Sequence, residues 1–254
     1  MELNLGTVRS SKYHSTSQKV RVVTERWVND QAYCPKCGRN LIQYNANKKI
    51  KDFYCKGCGE DFELKSKKKS FGNKITDGAY SSMKEILEGN KVPNFFFLAY
   101  FNKMVENFFL IPKHYFVMSI IEKRAPLSPG TKREGWVGCN ILLKTLPESG
   151  KIYYIKNRKV QTKNKVIDTF NKTKFLSGKK QEKRGWMVDV MKCVEELGKK
   201  HFSLDDVYRF TGYLSQLHPE NKNIKPKIRQ QLQFLRDEGY LKFRGKGRYV
   251  LNDS

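Results

Sequence analysis

The chain has 254 residues, with 50 Lys and Arg against 25 Asp and Glu, a formal net charge of +25. That length can bury a core without disulfides, and 39% hydrophobic and 13% aromatic content exclude a disordered basic tail. The longest apolar run, Phe95–Phe101, is far short of the roughly 20 residues that span a bilayer, and the first residues show no secretory leader pattern. So large a charge repels itself unless a polyanion uses it, which points to a soluble intracellular protein with a nucleic-acid partner and no membrane contact.

In chain order, Ser17 to Val28 places Val20, Val23, Trp27 and Val28 at helical spacing, with Ser15, Thr16 or Ser17 as N-cap. Two tight cysteine pairs follow, Cys34-Pro-Lys-Cys37 and Cys55-Lys-Gly-Cys58, separated by seventeen residues. This spacing is that of a structural Zn²⁺ site with four thiolates and no open position. Phe53 and Tyr54 lead into the second pair, and Phe62 to Lys65 returns from it with strict alternation. That pair therefore reads as the tip of a β-hairpin. A helix is expected from about Ile75 to Leu87, then strands at Asn94–Phe101, Phe108–Ile111 and Ile152–Ile155. A basic, turn-rich stretch, Pro126–Trp136, lies between the last two. Strands among helices indicate an α/β body with a mixed sheet. Cys139 and Cys193 have apolar neighbours and read as core; His14, His114, His201 and His218 are scattered and show no ligand spacing.

The polar run Ser177–Arg184 reads as a linker, dividing the chain into domains 1–182 and 183–254. Beyond it come an amphipathic helix, Trp186–Leu197, a short helix from Leu204 capped by Ser203, and a third helix, Ile224–Glu238. A hairpin with the basic turn Arg244-Gly-Lys-Gly-Arg248 ends the chain. This is the order of a winged helix.

Glu63 and Lys65 stand at i and i+2, one face of a strand, and Asp52 lies across the hairpin. An Asp, a hairpin and Glu-x-Lys form the pattern of PD-(D/E)xK nucleases, although Lys51 replaces the proline. Asp52, Glu63 and the Leu64 carbonyl would hold Mg²⁺, and Lys65 would orient or deprotonate water. Glu25 is either a solvated helix residue or an orienter of water. The run Lys65 to Lys69 would contact phosphate.

Ser17–Val28, Tyr33–Gly38, Asp52–Cys55, Phe62–Lys68, Asp77–Tyr80, Gly135–Ile141 and Lys227–Asp237 together resemble the DpnI family of restriction endonucleases. The resemblance implies a PD-(D/E)xK domain with a Cys₄ zinc site, joined to a winged helix. It also implies prokaryotic cytoplasmic location and Mg²⁺-dependent double-strand cleavage of G-A-T-C containing N6-methyladenine. The chain is expected to be a monomer in solution. Asp52, Glu63 and Lys65 fall on the family's catalytic pattern.

In paired N6-methyladenine the methyl sits beside N7, so the Asn/Gln bidentate contact loses its donor and an apolar surface is needed instead. On the third helix Ile224, Ile228, Leu232 and Leu235 form the inward stripe. Pro226, Gln230, Gln233 and Phe234 lie opposite, flanked by Lys225, Lys227 and Arg229. Pro226 and Phe234 are candidate methyl contacts, and the two glutamines candidate base readers; alternatively Phe234 completes the core and the glutamines are solvated. Arg244, Lys246 and Arg248 suit the DNA backbone. Trp136, with Lys132 and Arg133 beside it, is either core or a second groove contact. Two other readings remain: a zinc-containing winged-helix regulator without catalysis, and a nuclease of the same fold with another specificity.

Overall fold

The computed structural model describes residues 1–7, 15–45 and 51–252; His14 lies outside them. The elements in order are α1 (Thr16–Gln31), β1 (Ile42–Gln43), β2 (Phe53–Tyr54), β3 (Asp61–Lys68), β4 (Lys74–Ala79), α2 (Tyr80–Glu88), β5 (Asn94–Phe101) and β6 (Met104–Ile111). They continue with β7 (Ile121–Lys123), β8 (Gly138–Leu142), β9 (Ile152–Lys156), β10 (Lys159–Val160), α3 (Lys163–Lys172) and α4 (Gln181–Glu196). The last are β11 (His201–Ser203), α5 (Leu204–Tyr208), α6 (Thr211–Leu217), α7 (Ile224–Asp237), β12 (Leu241–Phe243) and β13 (Arg248–Leu251). No helix among the described residues is long and apolar enough to cross a membrane.

Two compact units form, and each is assembled from separate stretches of chain. The first comprises residues 1–72, 91–113 and 149–174; the second comprises 73–90, 114–148 and 175–254.

The first unit is built on a mixed seven-stranded sheet in the order β1-β2-β3-β5-β6-β9-β10. β3 and β5 run parallel, with Glu63 opposite Phe95 and Lys65 opposite Phe97. β5 is buried on both faces from Asn94 to Ala99, which explains its unbroken apolar run. On one face Phe62, Phe96 and Phe108 stack in succession at 5.1 and 5.0 Å, and Trp27 of α1 meets Phe108 edge-on. On the other face Phe97 stacks on Phe109 at 5.1 Å. α1 starts where expected: Ser15 accepts the Gln18 N–H at 3.2 Å.

The second unit holds two three-stranded sheets, β4-β8-β7 and β11-β13-β12. The second of these, with α4, α5, α6 and α7, follows the order of a winged helix. α5 begins with a full capping box between Ser203 and Asp206. Cys139 and Cys193 are buried, as their apolar neighbours suggested.

Three sequence readings need correction. The helix expected from Ile75 starts only at Tyr80. Residues 74–79 instead form β4, antiparallel to β8, because β-branched Ile75 and Thr76 and then Gly78 disfavour a helix. The run Ser177–Arg184 is not simply a linker. α4 begins at Gln181, and Arg184, 2% exposed, donates to Asn90 at 3.0 Å and to the Phe116 carbonyl at 3.3 Å. α4 is also not amphipathic in the ordinary sense, since every residue from Trp186 to Met191 is buried. α6 was not foreseen; it opens with Thr-Gly, and only Leu214 is fully buried.

The enclosure of α4 leaves Asp189 3% exposed. Its carboxylate accepts from Ser119 Oγ at 2.6 Å and pairs with His218 Nε2 at 2.8 Å, and His218 stacks on Trp186 at 3.7 Å. These contacts join α4 to the 114–148 stretch and to the end of α6. Asp189→Ala should therefore cost about 1–3 kcal/mol, because two partners lose their buried acceptor. Chemical denaturation measures this; wild-type stability in the variant would contradict the assignment.

Candidate active site

The hairpin of β2 and β3 fixes Asp52 through its backbone first. Its N–H donates to the Phe62 carbonyl at 2.9 Å, and its carbonyl accepts the Tyr44 N–H at 2.8 Å. Its carboxylate then accepts the Leu64 N–H at 2.7 Å. In a strand the N–H and C=O of one residue point to the same side, so the Leu64 carbonyl is also directed toward Asp52. Strict alternation in β3 sends Phe62 and Leu64 to the core and Glu63 and Lys65 to the other face. The Glu63 and Lys65 side chains pair at 2.5 Å, both half-buried. Lys65 Nζ also lies 5.7 Å from the centre of the Phe95 ring. Asp52, held on Leu64 just before β2 begins, and the Glu63–Lys65 pair on either side of Leu64 thus bring two carboxylates, one carbonyl and one amine to neighbouring positions of one strand. Oxygen donors of this type and number suit Mg²⁺ with positions left for water and phosphate.

A cleft of about 420 Å³ adjoins Asp52, lined in part by Arg21, Glu25, Gln43 and Lys51. Glu25 is not solvated: its side chain is only 13% exposed, pairs with Arg21 and accepts from Gln43 at 2.9 Å. Arg21 also reaches Asp52 at 3.5 Å. Its guanidinium is held above its ordinary pKa, chiefly by the hydrogen bond to Glu25. His114 and His218 lie in the second unit and take no part in this cleft.

The four cysteines come together at the tip of the same hairpin. Their sulfurs all lie within 4.8 Å of one another, with Cys34–Cys58 at 3.5 Å and Cys37–Cys55 at 3.4 Å. Tetrahedral Zn–S bonds of about 2.3 Å require sulfurs about 3.8 Å apart, so the cluster fits zinc. The two knuckles repeat one design: Gly38 N–H donates to Cys34 O, and Gly59 N–H to Cys55 O, each at 2.8 Å. Both glycines sit at φ +71°, a conformation that disfavours a side chain.

The composition of the chain gave no hint of a third component, Glu60. It is 5% exposed and holds Lys36 of the first knuckle at 2.9 Å, Lys113 at 2.8 Å and Asn94 of β5 at 3.0 Å. Burial works against its charge, but Lys113, Lys36 and Asn94 outweigh it and hold the carboxyl down at about 2. Glu60 thus ties both knuckles to the central strand.

Since the zinc knuckle lies between Asp52 and Glu63, Cys34→Ser or Cys58→Ser should lower the melting temperature by about 10 °C. Metal analysis should find one zinc per wild-type chain and less in the variants. A variant with wild-type melting and zinc content would contradict the site.

In the second unit, α7 buries Ile224, Ile228, Leu232 and Leu235, as the stripe predicts, and Gln231 as well. Lys225, Pro226, Arg229, Gln230 and Gln233 are exposed. Lys227 is half-buried, its Nζ 5.7 Å from the Trp186 ring. Phe234 is half-buried as well, with Lys183 Nζ 3.8 Å from its ring centre. Arg244, Lys246 and Arg248 are exposed along the hairpin turn. Trp136 lies in this unit and is half-buried, with the Arg133 guanidinium 4.7 Å from its ring. Gly138 lies against it as well: a Cβ there would come within 2.8 Å of the indole. Lys132 and Arg133 are exposed.

A sequence model of the DpnI, or Dam-replacing, family matches residues 1–179, and one of the Dam-replacing HTH domain matches residues 182–250. The first match alone covers well over half of the sequence, so the chain belongs to the DpnI family of restriction endonucleases, nucleases that act on DNA.

Proposed function

We propose that the chain is a Mg²⁺-dependent type II restriction endonuclease that makes double-strand cuts at G-A-T-C carrying N6-methyladenine. The observation that carries this reading is the Asp52 carboxylate held on the Leu64 N–H beside the Glu63–Lys65 pair. Asp52, Glu63 and the Leu64 carbonyl are the metal-holding set; bound there, Mg²⁺ supplies Lewis-acid polarisation of a phosphoryl oxygen and a more acidic water. Lys65 orients or deprotonates the attacking water and steadies the charge that builds on phosphate. Lys67 and Lys68, exposed beyond it on β3, and Lys69, exposed just past the strand, extend the positive surface available to the strand being cut.

In this reading residues 1–182 carry cleavage together with a second recognition element, and residues 183–254 carry the main recognition helix. α7 enters the major groove and the Arg244–Arg248 turn rests on the backbone, as in other winged helices. Burial of one methyl is worth only about 0.8 kcal/mol, or roughly fourfold in affinity. A fully methylated site thus gains about the square of that from one reader, which is too little for strict dependence. A second reader is therefore required, and Trp136, an indole held between Gly138 and Arg133, is the candidate.

Digestion of matched methylated and unmethylated plasmids with Mg²⁺ tests the whole reading. Cutting of the methylated plasmid alone is expected; equal cutting or none contradicts it. Asp52→Ala, Glu63→Ala or Lys65→Ala should each abolish cleavage while leaving folding and DNA affinity close to wild type. Retained cutting by any of them would place the centre elsewhere. Trp136→Ala should lower the ratio of methylated to unmethylated cleavage, and an unchanged ratio would remove Trp136 from recognition.

A further inference from the structure

α5 brings a residue to the recognition helix that its own sequence does not announce. A surface depression of about 500 Å³ is lined by Lys225, Pro226, Arg229, Gln230 and Gln233 of α7 and by Tyr208 of α5. Tyr208 is half-buried, and Lys225 Nζ lies 5.2 Å from its ring centre. Its position is firmly set. The Ser203–Asp206 capping box fixes the start of α5, and the Leu204 N–H donates to the Gly247 carbonyl at 2.8 Å. The neighbouring Val207 is fully buried.

The lining chemistry matches one short stretch of duplex. Arg229 has the fork that reads guanine O6 and N7, and the two amides can read unmodified base edges. Neither amide can make the bidentate contact to an adenine whose outward amino hydrogen is replaced by methyl. That position needs an apolar wall. Among the lining residues only the Tyr208 ring and the Pro226 ring offer one. Phe234 is not part of this lining; it lies under Lys183 on another flank of α7.

We infer that Tyr208, together with Pro226, forms the surface that receives the N6-methyl group of adenine, with Arg229 placed for the guanine beside it. This deepens the proposed function and rests on its assignment of α7 to the major groove. Lys225 turns from the ring to a phosphate when duplex is bound, which uncovers the face that meets the methyl. The contact is made by the ring; the hydroxyl is not required.

The test is equilibrium binding of the full chain, without added divalent metal, to duplexes that differ only in methylation of one G-A-T-C. Tyr208→Phe should keep the wild-type preference for methylated duplex. Tyr208→Gln should lose about fourfold of it per methyl contacted, with unmethylated affinity and salt dependence unchanged. Lys225→Ala should weaken both duplexes equally and reduce the salt slope by about one. A wild-type preference that survives Tyr208→Gln would overturn the role of Tyr208 and leave the proposed function standing. So would loss of preference in Tyr208→Phe, a variant that keeps the ring and its packing; that result would assign the discrimination to the hydroxyl and not to the ring. Equal wild-type affinity for the two duplexes would overturn both this inference and methyl reading by α7.

Discussion

One hydrogen bond, from the Leu64 N–H to the Asp52 carboxylate at 2.7 Å, sets the geometry on which the candidate centre depends. It fixes one acid against the strand that carries the other acid and the lysine. It also turns the Leu64 carbonyl to the same side. The bond exists because Asp52 is the residue at which the β2–β3 ladder ends: its own N–H still pairs with Phe62, and its side chain then replaces the next backbone partner. The far end of that hairpin is the cysteine cluster. Two knuckles held on one metal would close the hairpin, and Glu60 couples them to Asn94 at the start of β5. The cysteine tip and the proposed catalytic opening are thus two ends of one short ladder, so loss of zinc from the tip would reach the proposed centre as well as stability.

The second unit meets a different constraint. α4 is buried on every side from Trp186 to Met191, and Arg184 just before this stretch is buried too, so Arg184 and Asp189 must be satisfied inside the protein by Asn90, Phe116, Ser119 and His218. The stretch 114–148 is therefore part of the support of the winged helix, although it comes from the middle of the chain. The same stretch carries Trp136. Its place in the compact unit that holds α7 gives the proposed second methyl reader and the recognition helix one common support.

Much of this was legible in the sequence, and the reasons are local. The spacing of Cys34, Cys37, Cys55 and Cys58 specifies its own geometry, and the alternation of Phe62 to Lys65 specifies which side chains share a face. Ser15, Ser203 and the apolar stripe of α7 signal helix starts and faces through neighbours only three or four residues away. The misreadings concern distant partners. β4 exists because β8, some sixty residues later, pairs with it, and 75–87 by itself suggests one helix. Arg184 looks like a linker charge until Asn90 and Phe116 are known to receive it. Glu25 likewise looks solvated until Gln43 and Arg21 are placed beside it. Tyr208 carries no signal at all in the sequence, since its relation to Pro226 depends on how α5 packs beside α7.

The claim on which the account turns is that Asp52, Glu63 and the Leu64 carbonyl hold the catalytic metal. Iron-directed cleavage of the polypeptide tests it most directly. Fe²⁺ in place of Mg²⁺, with ascorbate and peroxide, cuts the chain beside the bound ion. The account predicts breaks next to Asp52 and within Glu63–Lys65, suppressed by excess Mg²⁺. Breaks elsewhere in the chain, with these two segments intact, would contradict it.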